Sequence, residues 1–286
     1  MSIKTVHTRT ELADIVGAWR RSGERVGLVP TMGNLHEGHL SLVRELRPQC
    51  DRLLVSIFVN PLQFGPNEDL DSYPRTLASD QEKLAAEGAD LAFAPEVGEV
   101  YPDGEAAATV IEPPAALTDQ LCGRDRPGFF TGVATVVAKL FNLCTPDVAI
   151  FGEKDFQQLL IIRRMVADLN FPVEIVSGPL IRESDGLAMS SRNHYLDAGQ
   201  RRLAPMLYHV LTEVAAGVAA DRTRIDPLLD QARDQLAEAG FEPRYLAVRN
   251  AETLGAPDAN VPLRVFGAAH LSGTRLIDNV PVPEDA

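Results

Sequence analysis

The residues best equipped for chemistry lie in one run, Pro30-Thr31-Met32-Gly33-Asn34-Leu35-His36-Glu37-Gly38-His39. Its two imidazoles, spaced i and i+3, stand where a short apolar strand over 26–29 gives way to a helix carried by Leu40, Val43 and Leu46. The first amides of a helix have no partners within it and carry the positive end of its dipole, so they favour an anion. Gly33 and Gly38 lack a Cβ and let a polyphosphate approach the backbone. Imidazoles add donors to phosphate oxygens. Nucleotidyl transfer needs these groups together.

Other polar groups follow other strand-like runs. Asn60-Pro61-Leu62-Gln63-Phe64 comes after the apolar stretch 53–59, and Gly152-Glu153-Lys154-Asp155 after 148–151. Lys154, directly after a strand, reads as a phosphate contact. Gly152 lets a nucleotide lie against the backbone. Asp155 holds the ribose or water around Mg²⁺, or caps the next helix. Further on, Met189-Ser190-Ser191-Arg192 brings two hydroxyls and a guanidinium, suited to β- and γ-phosphates under a closing lid.

The elements that must position these groups alternate. Thr8-Arg9-Thr10-Glu11 fits a capping box, with Leu12, Ile15, Val16 and Trp19 following at helical spacing. Strands are predicted over 26–29, 53–59, 90–94, 109–112, 148–151 and 173–177, with helical stripes at Val133, Val136, Val137, Leu140, Leu143 and at Leu159, Ile162, Met165, Val166, Leu169. Repeated β-then-α units predict an α/β fold, a Rossmann-like doubly wound parallel sheet. Ligands of such sheets bind beyond the carboxyl ends of the strands, where the polar runs fall. After Pro179 the pattern changes to helices over about 198–216 and 225–239, then strands near 244–249, 263–268 and 274–277. We therefore expect a Rossmann-like ligand-binding domain over 1–180 and a small α+β lid domain over 181–286.

Composition narrows the function. The 286 residues carry 40 acidic and 27 basic side chains, a net charge of -13, which speaks against non-specific nucleic-acid binding. Three cysteines without metal-type spacing predict thiols in a reducing cytoplasm. The N-terminus lacks a signal-type apolar core, and no apolar run approaches the roughly 20 residues of a spanning helix. The expectation is a soluble, cytoplasmic protein with no membrane or nucleic-acid partner.

The histidine run resembles the His-x-Gly-His signature of the nucleotidylyltransferase superfamily, which includes the class I aminoacyl-tRNA synthetases. Phe58 to Phe64, Tyr73-Pro74-Arg75-Thr76, Phe151 to Gln158, Met189 to Asn193 and Ala269 to Asn279 are similar, in order and spacing, to the pantothenate synthetase family. That resemblance covers the chain from about residue 20 onward. It implies ATP-dependent condensation of pantoate with β-alanine through a pantoyl adenylate, releasing AMP and pyrophosphate, with Mg²⁺ and in a homodimer.

By the same resemblance ATP meets Met32, Gly33, Asn34, Leu35, His36, Glu37, Gly38, His39, Gly152, Glu153, Lys154, Asp155, Ile181, Met189, Ser190, Ser191 and Arg192. His39, His36, Lys154 and Arg192 neutralise the charge that builds during transfer. Gln63 and Gln158 hold pantoate, helped by Asn60 and the apolar Met32, and Gln63 also touches β-alanine. Asp80 is a candidate Mg²⁺ ligand. Phe129 stands where relatives carry histidine and cannot donate a hydrogen bond. The histidine motif alone leaves open a nucleotidyltransferase that keeps the nucleotide on its product, a tRNA-charging enzyme and a nucleotide-sensing protein.

Overall fold

The computed structural model describes residues 3–65, 68–258 and 260–283. It contains the predicted parallel sheet, built from β1 (Lys4–Val6), β2 (Val26–Thr31), β3 (Arg52–Ile57), β4 (Leu91–Phe93), β5 (Val148–Gly152) and β6 (Glu174–Gly178). Their order is β1-β4-β3-β2-β5-β6, with every pairing parallel. Leu53, Leu54, Val55 and Ser56 of β3 are all 0% exposed, which explains why that strand reads as a nearly continuous apolar run. The strand order turns back at β2, which has β3 on one side and β5 on the other. The crevice between the ends of β2 and β5 is thus the switch point of the sheet, where such folds take their ligands.

A smaller antiparallel sheet follows, from β7 (Phe241–Asn250), β8 (Leu263–Leu271) and β9 (Thr274–Pro281). Helices Met206–Ala220 and Ile225–Glu238 share one core with it, through Leu207, Val210, Leu211, Val214 and Leu236 against Val248, Val265 and Leu271. The chain divides into two compact units. The first comprises Met1–Pro113, Arg126–Glu153 and Ile161–Pro179; the second comprises Pro114–Asp125, Lys154–Leu160 and Leu180–Ala286. Two short segments that precede residue 180 thus group with the C-terminal sheet. Gln157 is one reason: its buried amide accepts from the Cys122 N–H (3.0 Å) and donates to the carbonyls of Leu117 and Gln120. Asp125 is another, paired with Arg244 (2.8 Å) and Arg275 (3.0 Å) of the sheet.

The capping box at Thr8 and Glu11 forms as expected. Three local expectations need correction. Residues 109–112 are not a strand; the Ile111 N–H goes to the Thr135 hydroxyl (2.9 Å) instead of a sheet neighbour. Lys4–Val6, which the polar N-terminus hid, is a short edge strand paired with β4. The helix expected over about 198–216 is broken at Ala204-Pro205 into Ala198–Leu203 and Met206–Ala220, because proline cannot donate to the preceding turn. The whole stretch Ala198–Ala220 is nevertheless long and apolar enough, by length and composition, to cross a membrane, against the expectation that none would be. Its apolar face is spent on the core of the second unit.

Candidate active site

In the first unit, the loop after β2 is bent and then clamped. Gly33 has φ +81° and Asn34 φ +50°, a left-handed pair that turns the chain out of the strand. The Thr31 hydroxyl donates to the Ser56 carbonyl (2.7 Å) and accepts from the Gly33 N–H (3.2 Å). Asp80, on helix Leu77–Ala86, then takes the next two amides: Asn34 N–H at 3.0 Å on Oδ2 and Leu35 N–H at 2.8 Å on Oδ1. The Thr76 hydroxyl adds a third bond to Oδ2 (3.1 Å), and Lys83 donates to the Leu35 carbonyl (2.6 Å).

Asp80 is 0% exposed and already accepts three hydrogen bonds of the roughly four a carboxylate can take, so in this structure it clamps the loop. Among the described residues no group of three or more His, Cys, Asp or Glu side chains is placed to hold a metal ion. Leu35 is likewise an anchor, with its side chain 2% exposed and its N–H and carbonyl both engaged within the clamp.

The clamped loop delivers the histidines. His36 is the N-cap of helix Glu37–Leu46, its Nδ1 accepting from the Gly38 N–H (3.2 Å). His39 Nδ1 accepts, more weakly, from the His36 N–H (3.4 Å), and the two ring centroids are 4.1 Å apart. An N–H pointing at Nδ1 requires a lone pair there, so each neutral ring carries its proton on Nε2. Both rings are thereby set up as Nε2–H donors at a helix N-terminus. Met32, Asn34 and Gly38 of the same loop are half-buried, Gly33 is buried, and exposed Glu37 pairs with Arg44. Gly152 and Glu153, at the end of β5, flank the same switch point.

The turn after β3 carries Gln63. Gly132, in helix Phe129–Cys144, lies so close to it that an added Cβ would stand 2.0 Å from the Leu62 carbonyl oxygen. Asn60, 0% exposed, donates to the Gly132 carbonyl (3.1 Å) and to Gln63 Oε1 (3.0 Å), and accepts from the Tyr101 hydroxyl (2.8 Å). The Arg126 guanidinium donates to the Gln63 carbonyl (2.9 Å), pairs with Glu68 and lies 3.6 Å from the Phe129 ring centre. Phe129 therefore acts as a flat shelf for a cation, a task its aromatic face performs without any donor. Phe64, packed edge-on against Tyr73 at 5.8 Å, stands just beyond Gln63.

In the second unit, Lys154 lies near Asp155 (3.6 Å), and its carbonyl accepts from Asn279 (3.0 Å). Gln158 is half-buried beside the fully engaged Gln157. Ile181 accepts from the Met189 N–H (3.0 Å) at the base of a hairpin, whose Arg182 is held twice by Asp278 (2.6 and 2.9 Å). Beyond it Ser190 caps a short turn, accepting from the Arg192 N–H (3.3 Å), with Ser191 and Arg192 half-buried. Thr31, Lys83, Tyr101, Arg126 and Gly132 escaped the sequence reading as supports of these groups. The run Arg126-Pro127-Gly128-Phe129-Phe130-Thr131-Gly132-Val133 offered a signal for Arg126 and Gly132, and it names no partner.

Known proteins place this arrangement. A family model described as pantoate-beta-alanine ligase matches residues 4–281. The chain is 54% identical over 280 residues to a pantothenate synthetase of Halorhodospira halophila, covering 97% of this chain and 98% of the relative. It is 51% identical over 281 residues to that of Stutzerimonas stutzeri, covering 98% of each. The crystal structure of a Thermus thermophilus pantothenate synthetase superposes with a TM-score of 0.90 at 47% identity, covering 98% of this chain and 99% of that one. A Francisella tularensis pantoate-beta-alanine ligase, complexed with beta-gamma ATP and beta-alanine, gives 0.83 at 32% identity with 98% of each chain covered. With a family match that spans nearly its whole length, the chain belongs to the pantoate–β-alanine ligase family.

Proposed function

We propose that the protein condenses pantoate with β-alanine at the expense of ATP, through an enzyme-held pantoyl adenylate, and that the histidine loop is where phosphate charge is met. The observation that carries this reading is the pair of imidazoles at a helix N-terminus on the switch point of the sheet, each with its Nδ1 turned toward a backbone N–H. A pantoate carboxylate oxygen attacks the α-phosphorus of ATP, and the bond to the pyrophosphate oxygen breaks. Negative charge moves onto the phosphoryl oxygens and the leaving group, where fixed N–H donors act most strongly. His39 and His36 serve there, with Lys154 and Arg192 as cations and Ser190 and Ser191 as hydroxyl donors to the outer phosphates.

The mixed anhydride is then attacked at its acyl carbon by the neutral amine of β-alanine, and AMP departs. Because both imidazoles hold their proton on Nε2 and use the Nδ1 lone pair, neither is poised to take the ammonium proton. Water removes it. Gln63 and Gln158 hold pantoate, with Asn60 and Met32 in support, and Gln63 also meets β-alanine. Mg²⁺ would enter with the nucleotide as the Mg-ATP substrate and would offset the charge of the phosphate oxygens. Residues from 181 onward act as the lid. A cytoplasmic homodimer without nucleic-acid or membrane partners completes the proposal, and sedimentation equilibrium tests the dimer. The chemistry is tested by supplying pantoate, β-alanine and Mg-ATP and identifying the nucleotide released: AMP supports the adenylate route, and ADP sinks it.

A further inference from the structure

An amide side chain can meet a ligand with its oxygen or with its nitrogen, and the two ends select opposite partners. For Gln63 the choice traces back to a group that has none. The Gly132 carbonyl can only accept, so the amide nitrogen of Asn60 must face it (3.1 Å). Asn60 Nδ2 has a second hydrogen, which goes to Gln63 Oε1 (3.0 Å). Asn60 Oδ1 must then find a donor, and the Tyr101 hydroxyl supplies it at 2.8 Å. Asn60 is 0% exposed and Tyr101 2%, so water offers no substitute partner. Gln63 Oε1 is consequently turned inward, and its Nε2, with two N–H groups, remains for a ligand.

We propose that Tyr101 is a positioning residue for the acid substrate: acting through Asn60, its hydroxyl holds Gln63 with the amide N–H groups outward, which selects a carboxylate or hydroxyl oxygen of pantoate. Tyr101 closes helix Val97–Val100 and packs against Phe58, with ring centroids 6.2 Å apart, so the hydroxyl is held on a fixed arm. Burial, with the nearby Glu105 charge, raises the phenol well above its ordinary range, and the group stays a donor at any working pH. The inference rests on the reading that Gln63 binds pantoate.

The test compares Tyr101→Phe, Gln63→Ala and the double variant by steady-state kinetics and thermal melting. Tyr101→Phe keeps the ring and removes one hydroxyl, so it should raise the KM for pantoate about three- to tenfold while the KM for ATP stays unchanged. In the Gln63→Ala background the same change should have no further effect on pantoate, because the group being oriented is gone. A Tyr101→Phe enzyme with pantoate KM within twofold of the parent, beside a Gln63→Ala enzyme whose pantoate KM is raised, overturns the inference and leaves the Gln63 reading intact. An unchanged pantoate KM in Gln63→Ala removes the reading itself and the inference with it. A Tyr101→Phe effect that persists undiminished in the double variant assigns the hydroxyl to general packing and likewise refutes the proposal.

Discussion

Replacing Asp80 by asparagine separates a loop clamp from a metal ligand. The carboxylate accepts Leu35 N–H on one oxygen and Asn34 N–H with the Thr76 hydroxyl on the other. Asparagine keeps one oxygen for Leu35, but its NH₂ then faces the Asn34 N–H, donor against donor, in a site that is 0% exposed. The Thr76 hydroxyl can rotate to accept and loses little. An unsatisfied buried N–H costs about 1–3 kcal/mol, and loss of charge assistance on the retained bond about 1 kcal/mol more. The sum, about 2–4 kcal/mol, corresponds to a fall in melting temperature of roughly 4–16 °C for a domain of this size. Because the loosened loop carries both histidines, the adenylation rate should fall as well, by up to about 10²-fold for a displacement near 1 Å. Calorimetry without ligands, followed by a Mg²⁺ titration of AMP release, reads both effects. A clamp predicts the melting loss in the absence of any metal and an unchanged Mg²⁺ half-saturation. Normal melting together with activity restored by excess Mg²⁺ would refute the assignment.

Three other outcomes follow from the geometry. His39→Ala should slow single-turnover adenylation by roughly 10²–10³-fold while pantoate affinity barely moves, since the lost donor acts as phosphoryl charge builds; an unaltered burst of pyrophosphate would exclude the role. Gly132→Ala must push the Leu62 carbonyl oxygen back from a 2.0 Å separation. We expect a stability loss of about 1–3 kcal/mol and a raised KM for pantoate, and an unperturbed enzyme would show that the turn yields freely. Asp125 is largely buried, which by itself raises its carboxyl, but hydrogen bonds from Arg244 and Arg275 and their charges outweigh burial and hold it below the usual range. Its pairing therefore stabilises the fold above the ordinary Asp value of about 3.9 and fades as pH falls through the lower folded value. Acid unfolding followed by circular dichroism should show Asp125→Asn less stable than the parent at neutral pH, with the gap closing below about pH 4; a gap independent of pH would contradict the sign.

What the sequence determined by itself is local in origin. The alternation of short apolar runs with stripes of period 3.6 dictates a parallel α/β sheet, and β3 advertises its burial on both faces through residues 53–55. The histidines announce themselves because their spacing and the helix they open are set within ten residues of chain. Even here local rules have limits. Lys4–Val6 is a strand because β4 offers an edge, residues 109–112 are not one because no neighbour pairs with them, and Pro205 divides a helix that apolar spacing alone carries through.

Tertiary structure decided everything that depends on partners distant in sequence. The type of Asp80 says only that it can accept hydrogen bonds or meet a cation; helix Leu77–Ala86 brings it to two amides 45 and 46 residues earlier. Phe129 looked like a lost donor, yet it carries Arg126, which reaches Gln63 across 63 residues. The direction of the Gln63 amide is settled by Tyr101, 41 residues from Asn60, and by the Gly132 carbonyl, 72 residues from it. A residue's type fixes which bonds it can make. Which of those bonds remain for a substrate depends on which neighbours the fold has already given it.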